Sequence, residues 1–196
     1  MLGIFDAELV DKMNHIRWVD RILPICYYEH KVMTFTSQTM NGISRRIILR
    51  IYLDNCCYNR PYDDLSQFTV GLEAQAKLHI QQKIKDGVYE LVTSEMLTYE
   101  LDDNPFPVRK DTIWKFIQKY SSVHVGPESS SKVREMARDI MKTGIKYKDA
   151  CHVASAILAG CQYFVTTDKR LLKYRSAQIK LVNPITFVSE TEEESK

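Results

Sequence analysis

Along the chain the apolar positions change period several times, and each change marks a predicted element. Between residues 1 and 46, Leu9, Met13, Ile16, Val19 and Leu23 recur at helical spacing until Pro24 closes the pattern, which predicts an amphipathic helix. The Tyr-, Val-, Phe- and Thr-rich stretch from Cys26 to Thr36 suits an extended segment, and Thr39 to Arg46 reads as a polar connection. From Ile47 to Leu53 the chain is apolar almost without interruption and ends in Asp54, the pattern of a central strand buried on both faces. A helix is expected over Leu65 to Lys85, broken by Gly87, and a strand over Tyr89 to Thr93. Helices over Ser94 to Leu101, Thr112 to Lys119, Ser131 to Lys142 and Tyr147 to Gly160 then alternate with strands over Ser122 to Val125, Tyr163 to Thr167 and Ile179 to Val182. A short helix is expected between the last two strands. Five strands interleaved with helices predict an α/β fold, an open, doubly wound parallel sheet of about five strands.

Length and charge refine this picture without overturning it. At 196 residues and 44% apolar content, one well-buried domain is expected. Lysine and arginine number 27 against 25 acids, a balance that neither demands nor excludes a nucleic-acid partner. Four of those acids (Glu190, Glu192, Glu193 and Glu194) lie in the last eight residues, so the body is mildly basic and 189–196 reads as an acidic, disordered tail. The five cysteines (Cys26, Cys56, Cys57, Cys151, Cys161) form an odd set without a C-x-x-C pair, which fits a reducing, cytoplasmic setting. No apolar run reaches the roughly 20 residues that cross a bilayer, so no membrane partner is expected.

Candidate chemistry follows from the strand ends, because open α/β sheets bind ligands in the crevice beyond the carboxyl ends of their strands. Asp54 ends the first strand and Asp168 follows the strand at Tyr163 to Thr167. Each could equally be an ordinary turn or cap residue. Glu100 lies four residues after Met96 and three after Leu97, which puts an acid on an apolar helix face that ordinarily points inward. Asp149 stands in the first turn of an alanine-rich helix, where an acid also complements the helix dipole. Taken together, the four form an all-oxygen set that suits magnesium or manganese better than zinc. His152, three residues after Asp149, has no second histidine or cysteine at a ligand spacing and reads as structural; Cys56 and Cys57 read as small core residues.

From about Ile47 to Val188 the chain resembles a PIN domain. Ile51-Tyr52-Leu53-Asp54-Asn55 is similar to that family's first-strand motif, Ser94 to Leu101 to its third helix, Lys148 to Ala156 to its aspartate-bearing helix, and Thr166-Thr167-Asp168-Lys169-Arg170 to its fourth-strand motif. The resemblance is strongest to VapC-type toxins and their orphan relatives, and residues 1–46 fall outside it as an N-terminal extension. It implies hydrolysis of RNA phosphodiesters by water activated on one or two Mg2+ or Mn2+ ions, with Asp54 and Asp149 as principal ligands and Glu100 and Asp168 completing the set. It also implies an RNA substrate, a cognate antitoxin and a homodimer. Asn55, Arg60, Lys148, Thr167, Lys169 and Arg170 are the substrate-binding candidates around the acids.

Two other readings compete. A phosphatase of the haloacid-dehalogenase type also places an aspartate after its first strand, but it wants a second aspartate two residues on, where this chain has Cys56. A catalytically silent PIN-like module that binds RNA or a partner would keep the same fold without turnover. Met40 leaves open that residues 1–39 reflect an upstream start site.

Overall fold

The computed structural model describes residues 48–193, so the helix and extended segment expected before Arg46 lie outside the described residues. Five parallel strands form one sheet in the order β3-β2-β1-β4-β5. They are β1 Leu49–Leu53, β2 Tyr89–Ser94, β3 Ser121–Val125, β4 Tyr163–Val165 and β5 Lys180–Val182. The connecting helices are α1 Asn55–Asn59, α2 Phe68–Lys85, α3 Glu95–Asp102, α4 Pro107–Tyr120, α5 Ser130–Met141 and α6 Tyr147–Leu158, with α7 Pro184–Glu193 after the last strand.

The apolar run at Ile51 to Leu53 is explained by its place: β1 is the middle strand, paired with β2 on one side and β4 on the other, and those three residues are fully buried. Burial of that kind stabilises by roughly 1.5–3 kcal/mol per large aliphatic side chain. The Tyr52 ring stacks on Phe164 across the β1–β4 pair at 5.2 Å between centroids. Sheet growth runs from β1 to β2 to β3, then crosses back over β1 to β4 and β5. The ends of β1 and β4 therefore flank the point where the order reverses, the place in such sheets where a crevice opens.

Several boundaries move from where periodicity put them, for local reasons. Helix α4 starts at Pro107 rather than Thr112 because proline fits a first helical position, where its missing N–H is no loss. Strand β2 runs one residue further, to Ser94, whose hydroxyl accepts from Leu97 N at 3.3 Å and caps α3. The helix expected between the last two strands is a single 3-10 turn, Leu171–Lys173. Gly87 ends α2 at φ 71°, with Val88 N donating to Lys83 O at 2.9 Å, as a left-handed helix terminus requires.

The expectation of a disordered tail from residue 189 is corrected as far as residue 193, because α7 continues to Glu193. Asn183 Oδ1 accepts from Thr186 N at 2.8 Å at its start. Phe187 is buried between the rings of Tyr89 and Tyr163, and Thr191 is buried with Tyr89 donating to its hydroxyl at 3.0 Å. The acids suggesting disorder are partly engaged, Glu190 in an ion pair with Lys180 at 2.8 Å and Glu192 with its Oε1 2.9 Å from His79 Nε2.

Candidate functional site

Asp54 is built by the ladder that precedes it. Its N–H donates to Val165 O at 3.0 Å, adding one rung to the β1–β4 pairing, and its carboxylate then turns to cap α1 by accepting from Asn55 N at 2.8 Å. The other carboxylate oxygen accepts from the Thr166 hydroxyl at 2.7 Å and the Cys56 thiol at 3.1 Å. A carboxylate only 7% exposed is thus tolerated because donors surround it. Thr166 does double duty, since its hydroxyl also accepts from Asp168 N at 3.1 Å and so ties the ends of β1 and β4 together.

Asp168 also behaves as a turn cap. Its Oδ1 accepts from Arg170 N at 2.7 Å and its Oδ2 from the Arg170 guanidinium at 3.3 Å. Burial pushes its pKa upward, but the Arg170 N–H, the Arg170 side chain and the Leu171 N–H outweigh it and hold the carboxyl below the ordinary aspartate range.

Asp149 behaves in the opposite way. An acid in the first turn of a helix is ordinarily favoured in its charged form by the helix dipole. Here the pKa is raised, by burial first, then by the negative charges of Asp54 and Asp168, with Glu100 adding and His152 opposing. Asp149 therefore lies within electrostatic reach of all three other acids. This convergence does not amount to a preformed cage: among the described residues, no three carboxylate, imidazole or thiol groups stand close enough to hold one ion directly.

Glu100 lies on the flank of α3 that faces α6, beside the fully buried Leu97 and Leu101 rather than on solvent. Its Oε2 meets His152 Nε2 at 3.2 Å and its Oε1 lies 4.0 Å from Lys148 Nζ. Burial alone would raise its pKa, but His152, Lys148 and the Asn55 amide together bring it below the ordinary glutamate value.

The residues present fit a hard divalent cation on two grounds. Carboxylates within electrostatic reach of one another, as Asp149 is of Asp54, Asp168 and Glu100, repel unless a cation or protons intervene. In addition, the Thr167 hydroxyl beside Asp168 is buried without a hydrogen-bond partner among the described residues, an acceptor or donor left for something else. Magnesium usually keeps several of its waters and takes only one or two carboxylates directly, which suits an open acid cluster of this kind.

The substrate-binding candidates divide. Asn55 faces Glu100 and accepts from Asn59 Nδ2 at 3.2 Å, so it belongs to the acid site's lining. Lys148 stands over the Tyr99 ring at 4.9 Å, with Tyr99 itself exposed. Lys169 is exposed, its charge felt by Glu73. Arg60 is drawn elsewhere: it pairs with Asp63 at 2.9 Å and with Glu73 at 3.0 Å, which leaves it poorly placed for phosphate. Arg170 remains at the site and also lines a cleft of about 420 Å³ that it shares with Asp149, Lys146, Lys173, Tyr174 and Arg175. Three of those cations escaped notice in the sequence. The signal was there in the repeated cation-tyrosine-cation triplets Lys146-Tyr147-Lys148 and Lys173-Tyr174-Arg175. Cys56, read as a small core residue, and His152, read as structural, touch Asp54 and Glu100 respectively.

The fold and site define an α/β protein with an open parallel sheet and an acidic crevice at its switch point. No protein-family model matches the chain, and no curated protein matches it in sequence. A solved structure that does match is that of VapBC2 from Rickettsia felis bound to a DNA fragment from their promoter, at 12% identity and a TM-score of 0.44 over 69% of this chain and 98% of that one. At that distance the likeness is too loose to speak to function. No helix among the described residues is long and apolar enough to cross a membrane.

Proposed function

We propose that this chain is a PIN-type ribonuclease that hydrolyses RNA phosphodiester bonds with Mg2+ or Mn2+ at Asp54, Glu100, Asp149 and Asp168. The observation that carries the reading is geometric: the Thr166 hydroxyl links Asp54 to Asp168 across the ends of β1 and β4, and α6, which bears Asp149, meets Glu100 on α3 through His152 Nε2 at 3.2 Å. The Asp149 pKa is raised by burial first and then by the charges of Asp54, Asp168 and Glu100. Four acids reach that arrangement from four separate elements, in the order the family resemblance implies.

One or two bound ions would supply a water of lowered pKa and screen the phosphate from the carboxylates. The chain's own contribution is orientation. Thr166 and Cys56 fix the Asp54 carboxylate from one side and Asn55 N from the other, leaving it little freedom to turn. Arg170 and Leu171 hold Asp168 in a similar way. Positive groups then meet the RNA backbone, with Arg170, Lys146, Lys173 and Arg175 lining the cleft that Asp149 also lines and Lys148 standing by Glu100. The finer biology, a cytoplasmic toxin held by an antitoxin and acting as a homodimer, belongs to the same reading through the VapC-type resemblance.

The test is cleavage of a labelled single-stranded RNA with Mn2+, with and without chelator, by the full-length chain and by Asp54→Asn. Cleavage that needs the ion and is lost in Asp54→Asn is the expected result. RNA that is bound tightly but never cut would identify the silent module instead.

A further inference from the structure

His152 is 1% exposed, and its ring is held on both sides. Nδ1 lies 2.7 Å from the Tyr52 hydroxyl, and that hydroxyl lies 2.7 Å from Ser94 Oγ. Nε2 reaches out of the core to Glu100 Oε2 at 3.2 Å. The Tyr52 ring is pinned by its stack on Phe164, with planes 6° apart, and meets the His152 ring edge-on at 5.8 Å. Burial alone asks for a partner at each nitrogen; what sets His152 apart is that one of its two partners is the carboxylate of Glu100.

The protons in this chain have a consistent direction. A carboxylate only accepts, so Nε2 carries the hydrogen given to Glu100; in the neutral ring Nδ1 then accepts from Tyr52, and Tyr52 accepts from Ser94. Ser94 Oγ in turn accepts from Leu97 N at the start of α3, the helix that carries Glu100. The relay therefore runs from the cap of α3 through two buried rings back to the carboxylate two turns later on the same helix. We propose that His152 is a positioning residue for Glu100: backed by Tyr52 and Ser94, it fixes Oε2 and so limits the orientations in which the carboxylate, with Oε1 on the Lys148 side, can meet the ion that the proposed function calls for. The terminal torsion of a glutamate is soft and nearly two-fold, so an unheld Glu100 would present its oxygens in many orientations. Outer partners that orient a metal-binding carboxylate typically matter about 10–100-fold in affinity.

This proposal rests on the metal-dependent reading above, and the experiment separates the two. Mn2+ affinity is measured by electron paramagnetic resonance on the full-length chain for the unaltered protein, Asp149→Asn, His152→Gln, His152→Asn and Tyr52→Phe, with urea unfolding of each in the absence of metal. The amide nitrogen of glutamine falls near the place of Nε2, whereas that of asparagine falls near Nδ1 and cannot reach Glu100. The expected result is Mn2+ binding lost in Asp149→Asn, weakened about 10–100-fold in His152→Asn, and restored in His152→Gln to within about three-fold of the unaltered protein, the spread usual between contexts. Tyr52→Phe, which keeps the core aromatic but removes the hydroxyl behind Nδ1, should fall between them. Equal Mn2+ affinity in His152→Asn and the unaltered protein overturns the positioning role while leaving the metal site standing. Equal weakening in Asn and Gln variants that tracks their loss of urea stability also overturns it, in favour of a packing role. Failure of the unaltered chain to bind Mn2+ overturns both readings together.

Discussion

At the scale of single residues, the four acids separate by what surrounds each carboxylate. Asp54, Asp168 and Glu100 are met by donors, whereas the Asp149 carboxyl has its pKa raised by burial first and then by the charges of Asp54, Asp168 and Glu100. A consequence follows for stability without metal. The folded-state pKa of Asp149 is raised above its unfolded value, so ionising it costs folding free energy that is absent below the unfolded pKa and fully present once pH exceeds the folded one. Asp149→Asn should therefore raise the metal-free melting temperature at pH 7 and leave little gain near pH 3; an unchanged or lower value at pH 7 would mean that Asp149 does not feel its neighbours. The same residues show why so much was legible and where legibility stopped. Asp54, Asp149 and Asp168 stand beside element boundaries that hydropathy marks, and Glu100 stands on an apolar helix face, so the sequence exposes all four. It hides the contacts of His152 with Glu100 and Tyr52 and of Cys56 with Thr166, because hydrogen bonds between residues 52, 100 or 110 apart in the chain leave no local period.

At the scale of elements, the cleft beside Asp149 is the part most open to test. Lys146 comes from the approach to α6, and Lys173 and Arg175 from the turn after β4, so their grouping depends on the crossover and not on any contiguous basic run. Lys173→Ala and Lys146→Ala should each weaken RNA binding across sequences and lower the salt dependence by roughly one counterion, measured by anisotropy between 50 and 200 mM salt as an order-of-magnitude range. An unchanged salt slope in both would remove the cleft from the substrate path. Helix α3 carries a separate expectation: Leu97 is fully buried next to Glu100, and Leu97→Ala should cost about 2–5 kcal/mol in urea unfolding. Element type was readable where helical and strand periods alternate between β1 and β5, whereas the short α1 at Asn55–Asn59 and α7 at Pro184–Glu193 carry too few periodic apolar positions to be read. Element ends were not, since Pro107 and Ser94 act through caps that periodicity does not register.

At the scale of the whole molecule, sheet order positions the candidate site. Placing β1 between β2 and β4 brings Asp54 and Asp168 to one crevice, and returning α6 across that crevice brings Asp149 with it. The acidic end of the chain belongs to the fold as well: α7 packs along α2, and Glu190 and Glu192 are paired. Removing residues 189–196 should lower stability by about 1–3 kcal/mol, the scale of losing buried hydrogen bonds at Thr191, whereas loss of a disordered tail would change nothing. Its charge misled because composition alone cannot show that His79 and Lys180 await those glutamates. The central claim, that separate acids act as one metal-dependent site, is tested most directly by single-turnover RNA cleavage in Mn2+ with Asp54→Asn, Asp149→Asn and the double variant. Groups that work as a unit are strongly non-additive, so each single change should reduce the rate by about 10³-fold or more and the double change little further. Either single variant cleaving at the unaltered rate, or cleavage persisting in chelator, would contradict it.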